Sequence, residues 1–279
     1  MGSMSDQVRQ RGSGRPERNP FDDGVQGWLR WRETPWGGLR YRLVEHTLAM
    51  AAERLGRRCR VLDVGGGDGG DGLPLAARGH EVTVLDNSPA LLALAEERAA
   101  AEGLEHVLRT VRADLDDLAT GVPAAEFGAD YDMVLCHNVV QYTPDTADTV
   151  GVLARAVRKG GTISLLAPNP AMDVLAAAVR GGDPAGALAL LDADAVRSQA
   201  FGRDMRRIER QEAEAALGEH GCVVTHRFGV RCVIDLMPDD ERKHDERFLA
   251  ELQRLELALR DQEAFQRTAR FWHVLAARG

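Results

Sequence analysis

Val61-Leu62-Asp63-Val64-Gly65-Gly66-Gly67-Asp68-Gly69-Gly70 decides how this chain folds. Val61, Leu62 and Val64 are apolar and mostly β-branched, as suits a short strand covered on both faces. The glycines let the backbone turn sharply and lie close against a ligand, because no Cβ intervenes. Residues 73–78, Leu-Pro-Leu-Ala-Ala-Arg, read as the start of a helix, with Pro74 tolerable only in its first turn. Strand, glycine loop and helix together make a nucleotide-binding unit. The competing reading is a tight turn with no ligand. Five glycines in positions 65–70 argue against it, since each costs chain entropy on folding.

Gly65, Gly67 and Gly70 match G-x-G-x-x-G, a spacing that by itself admits a nicotinamide (NAD(P)-dependent) oxidoreductase. Two acids point elsewhere. Asp63 sits in the strand end, and Asp68 sits in the loop, where a pyrophosphate would be repelled. Carboxylates here suit a ligand with a cationic end and a ribose, such as S-adenosylmethionine. Glu81-Val82-Thr83-Val84-Leu85 is the next strand, ending at Asp86, where a carboxylate accepts hydrogen bonds from both ribose hydroxyls. Asn87-Ser88-Pro89 starts a helix over 90–102, with Ser88 as N-cap and Gly103 as stop.

Val107–Val111 is a third strand with Ala113-Asp114 at its tip, a carboxylate placed to meet an adenine amino group. Tyr131–Asn138 is a fourth, and its polar end, His137-Asn138, falls on the same carboxyl edge, where open α/β sheets bind ligands. A helix over 152–157, a Lys159-Gly160-Gly161 turn and a strand over 162–167 complete a βαβαβαβαβ rhythm. Residues 171–217 read as a mostly helical cap insertion. Arg203, Arg206, Arg207 and Arg210 fall at helical spacing, either as a salt-bridged solvated face or as a phosphate-binding one. Strands follow at 222–228 and 230–236, then a charged helix over 240–264 and a last strand over 271–277. The fold class expected is α/β: a doubly wound, Rossmann-like, mostly parallel sheet with an antiparallel C-terminal strand, an N-terminal helical lid and a helical cap.

Residues 1–20 read as a disordered arm, with Met1-Gly2-Ser3 an expression scar; 21–56 as the helical lid; 57–279 as the main domain with its cap at 171–217. Trp28, Trp31 and Trp36, three of the four tryptophans, cluster in 21–56, as core or as lid over a pocket. The four cysteines are scattered with no C-x-x-C pair, and no signal peptide or membrane-length apolar run is visible, so the expectation is a cytoplasmic protein with no membrane partner. No metal-ligand spacing stands out. A net charge of −8 is not the footprint of a chain that holds nucleic acid by charge alone.

Val-Leu-Asp-Val-Gly-Gly-Gly-Asp-Gly, the acid in Leu85-Asp86-Asn87-Ser88, the strand Tyr131–Asn138 and the turn Arg158-Lys159-Gly160-Gly161 resemble, in this order, class I S-adenosylmethionine-dependent methyltransferases. Phe21-Asp22-Asp23, Gly37-Gly38-Leu39-Arg40, Gly229-Val230-Arg231 and 270–274 (Arg-Phe-Trp-His-Val) resemble the bacterial tRNA 5-carboxymethoxyuridine methyltransferase group. The resemblance implies that Arg40 holds the carboxylate of the cofactor's methionine part and that His137 lines the cofactor. An arginine fork suits a carboxylate. The cofactor wall so implied is Arg40, Asp63, Gly65, Gly66, Gly67, Asp86, Asn87, Ala113, Asp114, Leu115 and His137, with S-adenosylhomocysteine as product. The group's usual Glu-Trp pair is Gln141-Tyr142 here, and the lysine-rich run of its cap is missing. These departures fall where an acceptor is read and favour a small-molecule acceptor, with tRNA wobble uridine as the alternative. His137 and Tyr142 are the candidate catalytic bases; Trp36, Tyr142, Asn169, Arg231 and His273 are the candidate acceptor contacts.

Overall fold

The computed structural model describes residues 21–120, 130–198 and 201–279, so the arm expected at 1–20 lies outside the described residues. Two helices open it, α1 (Val25–Glu33) and α2 (Pro35–Leu55). Thr34 caps α2, its hydroxyl accepting the Gly37 N–H at 3.0 Å, and Pro35 takes the first helical position, where its missing N–H costs nothing. The main body then alternates β1 (Arg60–Val64), α3 (Leu73–Ala77), β2 (Glu81–Asp86), α4 (Pro89–Ala101), β3 (Leu108–Arg112), α5 (Leu115–Thr120), β4 (Tyr131–His137), α6 (Thr146–Ala156) and β5 (Val157–Pro168). Ser88 caps α4, accepting the Leu91 N–H at 3.2 Å, and Gly103 ends that region at φ +69°.

One seven-stranded sheet runs β3-β2-β1-β4-β5-β9-β8, where β8 is Cys222–Val230 and β9 is Phe271–Arg278. The first five strands are parallel to one another, β9 is antiparallel to β5, and β8 is antiparallel to β9. Neighbouring residues along a strand face opposite sides, and the apolar side chains divide accordingly. Val61, Val84, Met133 and Leu135 pack with Leu39, Leu43 and Leu48 of α2. Leu62, Val64, Val134 and Cys136 pack with Val150 and Leu153 of α6 and with Leu217 of α9 (Arg210–Glu219). Both faces are covered, as the continuous apolar reading of β1 and β4 requires.

Two local expectations are corrected. The strand expected over 230–236 does not form: Arg231 turns at φ +63° and residues 234–236 form a 3-10 turn. The amides a strand would offer to a neighbour go instead to the buried Glu256 carboxylate, which accepts from Cys232, from Val233 at 3.1 Å and from Ile234 at 3.0 Å. The arginine face at 203–210 is not a helix either. After α7 (Pro170–Leu175) and α8 (Pro184–Leu191), the cap ends in a hairpin of β6 (Ala195–Arg197) and β7 (Asp204–Arg206), with Gly202 at φ +62° in its turn. No helix among the described residues is long and apolar enough to cross a membrane.

Candidate active site

The carboxyl ends of β1, β2 and β4 and the residues that follow β3 open into one cavity of about 320 Å³. The glycine loop is its floor. Gly65 N–H and Gly66 N–H both donate to the Leu85 carbonyl, at 2.7 and 3.1 Å, so the loop is stitched to the end of β2. A Cβ on Gly66 would stand 2.6 Å from the Asp63 carboxyl carbon, so only glycine allows this approach. Asp86 is held from both sides: Gly67 N–H donates to Oδ2 at 2.9 Å and Ser88 N–H to Oδ1 at 2.8 Å. Burial pushes its carboxyl above the usual range, and those amide donors oppose the shift. The arrangement presents an oriented, desolvated acceptor, as a ribose diol needs.

The other end of the cavity is a charged knot around Asp71. Arg40 Nη1 lies 2.5 and 2.6 Å from its two oxygens, and His137 Nδ1 lies 2.8 Å from Oδ2. Burial works to raise the Asp71 carboxyl, but Arg40 and then His137 override it and hold the group well below the carboxylate range. Asp63 goes the other way, pushed well up by burial and by the neighbouring Asp71. Arg40 Nε, Asp63 Oδ2 and Asn138 Oδ1, all on cavity-lining residues, are buried without a hydrogen-bond partner in the protein. One donor and two acceptors left in this way call for a ligand carrying both a carboxylate and an ammonium group.

Residues 62–163 match the family model of a methyltransferase domain. Residues 62–163 thus carry a methyltransferase domain. The chain is 29% identical over 155 residues to the tRNA 5-carboxymethoxyuridine methyltransferase of Escherichia coli K12, covering 55% of this chain and 57% of that one. It is 39% identical over 111 residues to an uncharacterized protein of Mycobacterium tuberculosis H37Rv, covering 40% of this chain and 38% of that one. The chain thus spans about half the length of the curated relatives it matches. Among solved structures, the magnesium protoporphyrin IX methyltransferase of Synechocystis PCC 6803, with bound S-adenosylhomocysteine, superposes with a TM-score of 0.59 at 16% identity over 93% of this chain and 96% of that one. A [4+2]-cyclase superposes with a TM-score of 0.53 at 17% identity over 84% of this chain and 81% of that one, so the fold alone does not dictate the chemistry. The methyltransferase-domain match, which takes in the glycine loop, sets aside its nicotinamide reading.

S-adenosylmethionine is the methyl donor that such a domain takes, and the cavity fits it. Asp86 meets the ribose requirement, and the unpartnered Arg40 Nε and Asp63 Oδ2 meet those of an amino acid end. Every residue assigned to the cofactor wall lines the cavity: Arg40, Asp63, Gly65, Gly66, Gly67, Asp86, Asn87, Ala113, Asp114, Leu115 and His137. Asp68 does not. It is buried against Arg98, 2.6 Å away, and against Arg32, so the electrostatic argument first attached to it belongs to Asp71. Asp71 escaped the sequence reading because Gly70-Asp71-Gly72 looks like more of the loop; an acid between glycines just ahead of a helix was the available signal.

One wall of the cavity is aromatic. Phe21 meets Tyr142 and Phe201 edge to face, each pair with centroids 5.3 Å apart, and Arg203 lies 4.8 Å over the Phe21 ring. Phe201 and Arg203 come from the β6–β7 turn, pinned by Ser198 Oγ, which accepts the Phe201 N–H at 3.2 Å and hydrogen-bonds the Tyr142 hydroxyl. Of the expected acceptor contacts, Tyr142 alone reaches the cavity. Trp36 lies outside the cavity, one turn before Arg40, where its ring packs 5.4 Å from Lys243 Nζ and edge to face against His244. Asn169 caps α7, accepting the Ala171 N–H at 3.2 Å and donating to the Arg267 carbonyl at 3.0 Å. Arg231 is buried in an ion pair with Asp235. His273 sits behind the wall, 2.7 Å from Ser164 Oγ. His137 lines the cavity with both ring nitrogens engaged, Nδ1 by Asp71 and Nε2 by Ser164 Oγ at 2.9 Å.

Proposed function

We propose that the chain transfers a methyl group from S-adenosylmethionine to a small molecule held between the Phe21–Tyr142–Phe201 wall and the glycine loop, with S-adenosylhomocysteine as the second product. The bound cofactor supplies a sulfonium methyl that is already activated. What the protein adds is alignment, worth roughly 7–11 kcal/mol in favourable cases, and exclusion of water. Asp86 and the loop amides orient the nucleoside end. Arg40, Asp63 and Asp71 orient the amino acid end. The aromatic wall dries the approach of the nucleophile. Tyr142 is the candidate base for a weakly acidic acceptor; its phenol is raised by burial, so the phenolate would need Ser198 and Arg203 beside it. His137, with both nitrogens engaged, serves better as a wall residue than as a base.

The observation that carries the small-molecule reading is the fate of the cap arginines. Arg206 pairs with Glu212 at 3.1 Å and donates to the Thr143 carbonyl at 3.2 Å. Arg207 donates to the carbonyls of Leu190, of Ala193 at 3.1 Å and of Pro170 at 2.8 Å. Arg210 pairs with Glu214 at 3.2 Å. Three of the four are thus spent on protein partners, and of the four Arg203 alone lines the cavity. A chain of net charge −8 keeps little for a phosphate backbone.

The second reading, a tRNA wobble uridine as acceptor, is favoured by the 29% identity to the Escherichia coli enzyme. Methyl-labelled S-adenosylmethionine, incubated with the protein and a cell extract split into RNA and small metabolites, separates the two. Label in the metabolite fraction supports the first; label in tRNA, lost as salt is raised, overturns it in favour of the second.

A further inference from the structure

Arg40 enters the cavity already neutralised. Its side chain is 3% exposed and that of Asp71 is 9% exposed, and one guanidinium nitrogen reaches both oxygens of the carboxylate. His137 holds the same carboxylate from its other side at 2.8 Å. The guanidinium therefore does not wait for a ligand to balance its charge. What it keeps are the donors on Nε, buried with no protein partner, and on Nη2.

Consider what a ligand's carboxylate does in such a site. Where a pocket arginine has no protein anion beside it, deleting the ligand's carboxylate strands a buried charge, and the penalty is large. Here the deletion leaves Arg40 paired to Asp71, strands no charge, and forfeits only the hydrogen bonds at Nε and Nη2. It also removes the repulsion between two carboxylates that share one guanidinium. The deletion does not touch Asp63 Oδ2, the unpartnered acceptor left for the ligand's ammonium.

We infer that Asp71 makes the ligand's carboxylate dispensable in this pocket, so that the site accepts adenosyl thioethers and sulfonium compounds whose side chain keeps the amine but lacks the acid. The inference rests on the cofactor reading above. It also makes Asp71 the residue that sets this tolerance: without its charge, Arg40 has only the ligand to pair with, and dependence on the carboxylate returns.

Calorimetry with two probes tests it, S-adenosylhomocysteine and its decarboxylated counterpart S-adenosyl-3-thiopropylamine, on the wild-type protein and on Asp71→Asn. The wild type should bind the two within about a hundredfold, the cost of hydrogen bonds to a charged group. Asp71→Asn, which can still accept from His137, should widen that ratio at least about tenfold. Retained S-adenosylhomocysteine binding shows that the variant is folded. A preference above about a hundredfold already present in the wild type, or the same ratio in both proteins, overturns the inference. If Asp71→Asn does not fold, the wild-type ratio decides alone. Failure of the wild type to bind S-adenosylhomocysteine at all would overturn the cofactor reading itself, a result distinct from binding with the wrong ratio.

Discussion

His137 and His273 lie with their rings 5.3 Å apart, edge to face, and share one hydroxyl. Ser164 Oγ is 2.9 Å from His137 Nε2 and 2.7 Å from His273 Nε2. The charge on Asp71 sets the direction of the whole chain. Asp71 can only accept, so His137 carries its proton on Nδ1; Nε2 then accepts from Ser164, whose oxygen accepts from His273 Nε2–H. The far nitrogen, His273 Nδ1, is buried with no partner. Burial holds both imidazoles below their ordinary value, which favours the neutral ring.

That neutrality has a pH consequence. Burial, then the proximity of His137 and Arg40, holds His273 well below its ordinary value. A histidine depressed in the folded state contributes stability above its unfolded pKa, about 6.5, and that stability is lost as pH falls below it. Between pH 7.5 and 5.5 the wild type should therefore lose about 1 kcal/mol more than His273→Gln. Urea denaturation at the two pH values measures this; equal losses would refute it.

Asp86 anchors the loop and meets the ligand at once. Asp86→Ala frees the Gly67 and Ser88 amides and removes the ribose acceptor. Hydrogen bonds to a charged group contribute about 1.5–3 kcal/mol, so S-adenosylhomocysteine should bind roughly 10- to 100-fold more weakly. Calorimetry checks this, with unchanged affinity the contrary result.

Two glycines should respond with opposite sign. At Gly66 a Cβ meets Asp63 at 2.6 Å and Val84 at 3.0 Å, so Gly66→Ala should cost about 1–3 kcal/mol and weaken ligand binding. At Gly218, inside α9, a Cβ meets nothing within 4 Å and the backbone is helical, so Gly218→Ala should stabilise by about 0.4–1 kcal/mol. Thermal melts of both variants decide it; a destabilised Gly218→Ala would show that α9 does not pack as described.

Phe201→Ala tests the division of the cavity. Phe201 touches Phe21 and Tyr142, and no hydrogen bond ties it to the glycine loop. Its removal should leave S-adenosylhomocysteine affinity within about twofold, while acceptor KM rises about tenfold or more through lost aromatic contact. Equal damage to both would mean that the aromatic wall supports the cofactor half instead.

Ser88, Pro89 and Asp86 could be assigned from the chain alone because capping, proline position and a strand-tip acid are properties of adjacent residues. The glycine loop was readable for the same reason. Arg231, Asn169 and His273 looked equally polar and equally well placed near strand ends, yet each is turned to a protein partner behind the wall. Phe201 and Arg203 carried no local mark of a site, since the hairpin that lifts them depends on contacts between residues 195–197 and 204–206.

The sequence by itself determined the alternation of strands and helices, the cradle at 65–67 and the acid at Asp86. All of these follow from side-chain period, Cβ sterics and caps that act within a few residues. Only the tertiary structure decided which buried charges meet. Arg40 and Asp71 are 31 residues apart, and Glu256 captures amides 22–24 residues earlier. Such pairs form because a desolvated charge must find a partner wherever the packed elements bring one, and no local pattern records that choice.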